Sequence, residues 1–476
     1  MHRPRVVVEP PDSRGLRKVR VGGEVVGAAW SLRDLRKILV RNGFPPDMSL
    51  EDRVLISWRE AGSDSWPDRT RTRRATAVAM TAGLIGSAVF LIVIGSEDAF
   101  GALTFASQAS GFLLFLAGVT QFLAACAVQD YWGKRTVRYS GMLILVSVFI
   151  ALLVHSMLVA IWFKEMEFTP WVFSYVPLLV WSLWASWLVV REKVWRGTPH
   201  PRQVTAGVLV TALIAGANFA YSAAYQPYAT HPQVTLSAKF GTPQLDPRES
   251  VIHIPVRFSL QNTGKVSTMI LGSEFQVLGR FSAPETGEMG LDGVREDAVS
   301  GTDSELYAGL QKRSLIMTGL IIGPGDWFDP GTGHVKEVTV QVPKEAPYES
   351  LEVHGGVTVL RRDRGRVDDS FQYPRWSWKK GKTDIFECPP KKCGDYVLYV
   401  GKLTHNNNII NVTRRQRYVF ARRQLGDESF VYTFIAPLNA QGRVSYKYES
   451  EETYGMATVP TGTVVIPYAT VLKTAA

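Results

Sequence analysis

The sequence lacks the signatures by which many soluble enzymes are recognised. It has only 3 cysteines and 8 histidines among 476 residues, and the histidines are scattered singly, without a metal-binding spacing such as HExxH. Neither a GxSxG nucleophile elbow nor a GxxxxGK(S/T) phosphate loop is present. These absences exclude the common hydrolase and nucleotide-binding patterns, and the few cysteines exclude a disulfide-dense secreted miniprotein. No metal, no other cofactor and no catalytic residue is predicted.

Charged residues are scarce between residues 75 and 225, whereas both flanks are polar. Within this block, five apolar stretches are long enough to cross a bilayer, which takes about 20 helical residues. Because the polar flanks make up more than half of the chain, the composition excludes a transporter built of membrane helices alone. The predicted spans of this five-helix transmembrane bundle are 75–94, 110–128, 141–163, 171–190 and 204–221.

Lysine and arginine are distributed unequally around these spans. One set of loops carries eleven basic residues, whereas the two short loops on the opposite side offer only Lys164. Basic loops stay on the cytoplasmic side of a membrane, so we expect a multi-pass cell-membrane protein with a cytoplasmic N-terminus and an extracytoplasmic region from residue 228 onward. The eleven are Arg69, Arg71, Arg73, Arg74, Lys134, Arg135, Arg138, Arg191, Lys193, Arg196 and Arg202.

Ionisable residues inside membrane spans usually have a function, such as proton transfer. The candidate here is His155 in the third predicted span, with Gln121 and Asn218 as polar companions on other spans. A proton relay or pH sensor needs a partner, and the spans offer no carboxylate for this role. The favoured interpretation is therefore that His155 makes hydrogen bonds across the bundle.

Small residues recur every four positions on two spans, which allows helix backbones to approach closely. Ordinary packing within one bundle is the favoured interpretation, and a homo-oligomer seam is the alternative. The first stripe is Ala75, Ala79, Gly83 and Ser87, and the second is Ala212, Gly216, Ala220 and Ala224.

Residues 1–74 predict a small basic α+β head, with 16 basic and 10 acidic side chains. Residues 1–15 are expected to be disordered. A β-hairpin with a Gly22-Gly23 turn follows, and then a helix begins near Ser31. The positive charge favours an anionic lipid surface or a cytosolic protein partner; nucleic acid is disfavoured, because the head is too short for a supported recognition helix.

Residues 228–476 predict an all-β, sandwich-like region of one or two modules. Apolar and polar residues alternate from Ile252 to Leu260, as in a half-buried strand, and many further short strands are separated by Gly, Pro and Asn turns. The stretch 252–271 resembles the strand–turn–strand core of immunoglobulin-like modules, without their Cys…Trp…Cys spacing. This resemblance implies an architecture and no particular family.

Two cysteines, Cys388 and Cys393, bracket a short loop on the side predicted to be oxidising. A local disulfide bond is the favoured interpretation. Zinc binding is the alternative, although two further ligands at a suitable spacing are missing.

Two stretches combine basic and aromatic residues and are the candidate binding patch. Arginine forks suit phosphate and carboxylate groups, and nearby rings can add stacking. Strand periodicity predicts that the arginines of the second stretch share one face; an ordinary solvated face is the alternative. The first stretch comprises Trp376, Trp378, Lys379 and Lys380, and the second comprises Arg415, Arg417 and Arg423.

Three functions are compatible with these patterns. The leading hypothesis is a non-catalytic receptor, scaffold or assembly subunit whose external β region binds a protein or an anionic envelope polymer. The first alternative is a channel or transporter subunit with the bundle as the working part. The second is a membrane-bound enzyme with an unrecognised external site. The excess of Arg over Lys, with abundant Ala, Gly and Val, is typical of a GC-rich bacterial source.

Overall fold

The computed structural model divides the chain into two compact units. The first comprises residues 1–220 together with 407–414, and the second comprises residues 221–406 and 415–476. The residues that the structure describes are 6–12, 15–52, 54–60, 62–64, 66, 70–133, 137, 139–192, 194, 232–246, 248, 250–282, 291–301, 311–379, 394–426, 430–439, 441–444 and 451–475.

The N-terminal head is a four-stranded sheet of order β3-β2-β1-β4 with one helix, α1. Both residues of the Gly22-Gly23 turn have positive φ angles, of 63° and 96°, as the predicted hairpin requires. The expectation of disorder throughout residues 1–15 is wrong at β1, because its side chains are needed in the core and its backbone pairs with both β2 and β4. The elements are β1 (Val6–Val8), β2 (Arg17–Val21), β3 (Glu24–Ala29), α1 (Leu32–Arg41) and β4 (Ile56–Trp58).

Among the described residues, four helices are long and apolar enough to cross a membrane. They correspond to the first four predicted spans, and the fifth, 204–221, lies outside the described residues, as does Asn218. The first helix is longer than its apolar run, because it continues into basic residues at one end and into Ser96, Glu97 and Asp98 at the other. The helices are α2 (Thr70–Gly101), α3 (Phe105–Tyr131), α4 (Ser140–Glu165) and α5 (Val172–Arg191).

The small residues of α2 serve packing within this chain. Gly83 lies directly against the indole ring of Trp181 on α5, where any side chain would collide with that ring. The same indole donates a hydrogen bond to the carbonyl of Ala79 over 3.1 Å. One turn further along, the Ser87 hydroxyl lies 3.4 Å from Nε2 of His155 on α4. Three of the four stripe residues, Ala79, Gly83 and Ser87, therefore contact α4 or α5.

The C-terminal region is rich in β-structure, and its described residues form three sheets. The first sheet has the order β11-β7-β5, and β6 also pairs with β7. The second sheet has the order β10-β8-β12-β18; in addition, β9 pairs with β8 and β19 pairs with β12. The strands are β5 (Val234–Phe240), β6 (Gln244–Asp246), β7 (Val251–Asn262), β8 (Thr268–Ser282), β9 (Gln311–Gly319), β10 (Trp327–Phe328), β11 (Gly333–Pro343), β12 (Ser350–Arg361), β18 (Met456–Pro460) and β19 (Val464–Pro467).

These two sheets share one apolar core, which gives a sandwich. The predicted alternation from Ile252 to Leu260 is confirmed, because all five apolar residues of this run are buried on β7. They pack with Phe275, Val277 and other side chains of the second sheet. Strand β8 is unusually long, and β12 pairs with it from Thr268 to Arg280.

The third sheet has the order β13-β15-β16-β17, with β14 beside β15. Val419 and Ala421 on β16 pack with Met269 and Leu271 on β8, so one face of this sheet covers part of the second sheet. The remaining elements are α6 (Leu291–Ser300), β13 (Gly365–Val367), β14 (Arg375–Trp376), β15 (Tyr396–His405), α7 (Asn408–Thr413), β16 (Arg417–Gln424), β17 (Val431–Pro437) and α8 (Tyr468–Ala475).

Candidate functional site

The connection between β15 and β16 departs from an ordinary hairpin loop. Residues 407–414, which we name the docking segment, contain the short helix α7 and belong to the same compact unit as helices α2 to α5. Ile409 and Val412 are 3% and 2% exposed. They lie in an apolar cluster with bundle side chains, among them Phe90, Leu91, Ile94, Leu114, Leu158 and Tyr175.

Asp98 on α2 holds the start of α7. The backbone N–H of Asn408 donates to both carboxylate oxygens of Asp98, over 3.0 and 2.9 Å. Asp98 is 5% exposed, and a buried carboxylate is stable only when donors of this kind compensate for lost hydration. The N–H groups of the first helical turn have no partner inside the helix, so a carboxylate there satisfies both needs.

Two further polar contacts fix the docking segment. The Thr169 hydroxyl, between α4 and α5, donates to the carbonyl of Val412 over 3.0 Å. The Asn408 side-chain amide points to the carbonyl of Ile94 over 3.4 Å. At the segment's own start, the Asn407 side chain accepts from the N–H of Ile409 over 3.0 Å. Both ends of α7 are therefore hydrogen-bonded as well as packed.

Sequence reasoning missed the docking segment. The run Asn406-Asn407-Asn408 is typical of a turn, and a six-residue helix is too short to show a clear apolar period. Asp98 gave no clear signal either, because acidic residues such as Glu97 and Asp98 are common next to an apolar span and do not point to a partner. The partner lies 310 residues away in the sequence, so no local pattern identifies it.

Two of the three predicted intramembrane residues, His155 and Gln121, lie in the core of the bundle. His155 is fully buried and contacts Ser87, as described above, and its ring lies 6.0 Å from that of Phe90 between centroids. Gln121 on α3 is also fully buried, and neither polar atom of its side chain has a hydrogen-bond partner among the described residues. The structure thus gives His155 a polar neighbour, whereas it leaves the Gln121 amide uncompensated.

The first basic-aromatic stretch is only partly described. Trp376 lies on β14 and pairs with Val397 of β15. Lys379 folds back so that its Nζ lies 4.1 Å from the centre of the Trp376 ring, and Trp378 is half exposed. Lys380 lies outside the described residues. Trp376, Trp378 and Lys379 therefore lie close together, in and directly after β14.

The structure separates the three arginines of the second stretch. Arg417 is 2% exposed, on the face of β16 that carries the core residues Val419 and Ala421, and its guanidinium donates to the Arg415 carbonyl over 3.2 Å. Arg415 is exposed but precedes the strand, and Arg423 is partly buried. Positions 417 and 423 lie on one face of the strand. That face is packed, so the three do not present one solvent-exposed patch.

The predicted disulfide bond cannot be located, since Cys388 and Cys393 lie outside the described residues. Within the described part of the chain, Cys126 on α3 is a free thiol. The same residues contain no group of three or more His, Cys, Asp or Glu side chains that is arranged to hold a metal ion.

A second buried carboxylate, absent from the predictions, lies in the second sheet. The side chain of Glu352 on β12 is 3% exposed and lies 3.3 Å from Nε of Arg313 and 3.9 Å from Nη1 of Arg280. His354 contributes Nε2 at 3.5 Å. The contacts of Glu352 with Arg280 and Arg313 join β8, β9 and β12 on one face of the sheet.

Comparisons with known proteins do not identify a family. No family model matches the chain, and no curated protein matches it. Among solved structures, the structural genomics target SoR45 matches with 10% identity and a TM-score of 0.16, over 27% of this chain and 75% of that one. A protein described as ApaA from Bordetella pertussis matches with 12% identity and a TM-score of 0.14, over 28% of this chain and 84% of that one. At these TM-scores, neither similarity carries an argument about fold or function.

Proposed function

We propose that the protein is a multi-pass cell-membrane protein that acts as a non-catalytic receptor, scaffold or assembly subunit. Helices α2 to α5 cross the membrane, the head lies in the cytoplasm, and the β-rich region lies outside the cell and binds a protein or an anionic envelope polymer. The length and apolar character of the four helices support the insertion. The excess of basic residues in alternate loops supports the orientation.

The docking segment is the observation that carries the proposed role. Strands β15 and β16 enter it directly at both ends, and its helix is buried among bundle side chains. A ligand that changes the hairpin of β15 and β16 therefore acts on α7 through a few covalent bonds. Through Asp98 and Thr169, α7 in turn acts on helix α2 and on the connection from α4 to α5. Such a link suits a receptor or an assembly subunit better than it suits two independent modules.

Hydrogen exchange in the full chain, reconstituted in lipid nanodiscs, tests this link. Asp98→Ala removes the acceptor of the buried Asn408 N–H, and loss of one partner of a buried hydrogen bond costs about 1–3 kcal/mol. We expect amides of residues 408–413 to exchange about ten-fold faster or more. Glu97→Ala is the matched control, because Glu97 is the exposed neighbouring carboxylate. Equal exchange in both variants would remove the proposed coupling.

Protease added to right-side-out spheroplasts tests the orientation. Digestion is expected to remove the residues beyond 231 and to spare the head. Survival of the β-rich region together with loss of the head would reverse the orientation. This experiment is independent of the docking segment.

A channel or transporter subunit is the second candidate, and Gln121 is the observation that favours it. A fully buried amide without a partner among the described residues is costly in a structural core, but it is expected in a wall that contacts a transported solute or water. Gln121→Leu should then reduce ion or solute flux in proteoliposomes. Under the receptor hypothesis, the same variant should be neutral or stabilising.

A further inference from the structure

Helix α1 presents a basic stripe on the side opposite its buried residues. Its apolar side chains Leu35 and Leu39 face the core of the head. The exposed residues lie at intervals of three and four, which places them along one face of a helix. They are Leu32, Arg33, Arg36, Lys37, Val40 and Arg41, and none of the four cations has an ion-pair partner among the described residues.

The start of α1 is fixed to one end of the helical bundle. Trp30, directly before the Ser31 cap, donates from its indole N–H to the carbonyl of Gly133 over 2.6 Å. The guanidinium of Arg73 stacks on the Trp30 ring, 3.9 Å from its centre, and donates to the carbonyl of Trp132 over 2.7 Å. These contacts hold the first turn of α1 where α2 begins and α3 ends.

That end of the bundle is itself basic. Arg71 and Arg74 are exposed at the start of α2. Arg191 is exposed at the end of α5, where its guanidinium lies 5.1 Å from the centre of the Trp187 ring. Tryptophan and arginine at helix ends are typical of the headgroup zone of a membrane. The stripe on α1 therefore begins at the level where lipid headgroups surround the bundle.

We propose that the basic stripe of α1 is a docking surface for anionic lipid headgroups. Each lysine or arginine near an anionic leaflet strengthens binding about five-fold, and Val40, which is 43% exposed, adds an apolar contact at the acyl boundary. The head then lies on the inner leaflet. Because the Trp30–Arg73 contact holds α1 to the start of α2, lipid bound by α1 is linked to that helix. The proposal rests on the insertion of the bundle in a membrane and on no property of the β-rich region.

Hydrogen exchange of α1 in the full chain tests the proposal. The chain is reconstituted in nanodiscs of phosphatidylcholine alone and of phosphatidylcholine mixed with phosphatidylglycerol. In the mixed lipid, we expect the exchange of amides of residues 32–41 to slow by a factor of about ten or more. The difference should disappear in about 1 M salt, where the Debye length is about 3 Å. Failure of the protein to enter either nanodisc would contradict the insertion, whereas equal exchange in both would contradict this proposal alone.

Matched charge changes separate the stripe from net charge. Arg36→Glu with Lys37→Glu should abolish the lipid effect. If this charge reversal disturbs the fold, the milder pair Arg36→Gln with Lys37→Gln replaces it and should reduce the effect. Lys18→Glu with Arg59→Glu reverses two exposed charges elsewhere on the head and should leave the effect intact. If this control loses the lipid-dependent protection to the same extent, the protection depends on the net charge of the head and not on the stripe, and the proposal is wrong. Stronger protection by a short duplex DNA or by heparin in neutral lipid would assign the stripe to a polyanion other than lipid.

Discussion

The helical bundle and the β-rich region differ in the large apolar side chains that they leave exposed. In the sandwich, Phe258 and Phe275 are buried and contact each other with tilted rings, whose centres are 4.9 Å apart. In the bundle, small residues such as Ala88 and Ser182 are buried, whereas Phe105 is 85% exposed and Phe173 is 73% exposed. An exposed phenylalanine is costly in water and favourable in lipid. The outward rings of the bundle therefore fit the proposed insertion in a membrane, whereas the sandwich buries its rings as a domain in water does.

The largest effect is expected when one aromatic ring is removed from each region. Phe258→Ala leaves a cavity in the sandwich core and should lower its free energy of unfolding by about 4 kcal/mol. Phe105→Ala removes a ring that faces outward and should change the stability of the bundle far less. Urea unfolding of the purified full chain in detergent, followed by circular dichroism of strands and helices, measures both. Similar losses in the two variants would contradict the comparison.

A smaller effect is expected where helix backbones touch. A Cβ at Gly111 on α3 would collide with the backbone of Ala99 and would lie 2.5 Å from Cβ of Asp98 on α2. Because backbone atoms cannot move aside, Gly111→Ala should lower the stability of the bundle by about 2 kcal/mol. Gly101→Ala, where no atom lies within 4 Å, is the control and should be neutral. Unfolding by sodium dodecyl sulfate in mixed micelles reports the difference, and no loss at Gly111 would show that the helices can separate freely.

The smallest effect concerns a carboxyl in the β-rich region. Burial raises the pKa of Glu274 above its ordinary value of 4.5, against the opposing influence of a hydrogen bond from the Val431 backbone and the charge of Arg423. The folded state therefore favours the protonated carboxyl. This stabilisation is complete below the ordinary pKa and is lost as the pH rises through the raised one.

Glu274→Gln keeps a neutral side chain at every pH, so it should remove this part of the pH dependence. Unfolding measured at a series of pH values from about 4 to 8 should show the stability of the wild type declining relative to that of the variant. Glu337→Gln, at an exposed carboxyl on β11, is the control. A parallel decline in Glu274→Gln and the wild type would assign the pH dependence to another group.

Hydropathy and periodicity predicted the parts of the fold that depend on local pattern. The four apolar helices, the hairpin at Gly22-Gly23 and the alternating strand β7 follow from residues that are neighbours in the sequence. Periodicity also placed Arg417 and Arg423 on one face, but it cannot tell a solvated face from a packed one. That distinction depends on β8, which covers β16 and is more than a hundred residues away.

The candidate site was beyond sequence reasoning for the same reason. Asp98 and Asn408 are each unremarkable in their local context, and their significance arises only from their contact. Glu352 is similar, because its cations lie on other strands. Long-range pairing of polar groups leaves little local signature, whereas burial of apolar groups repeats with the period of the element that carries them.

The separation of Asp98 and Asn408 along the chain also sets an order of events during synthesis. Their 310-residue separation corresponds to about 15–60 s of translation. Throughout this interval α2 has already been made, while the segment that completes the end of the bundle does not yet exist. The nascent protein must therefore pass through a stage in which the Asn408 N–H that donates to the Asp98 carboxylate has not yet been made. A ribosome that stops before residue 408 releases a chain fixed at this stage, with all of its apolar helices and an open bundle end.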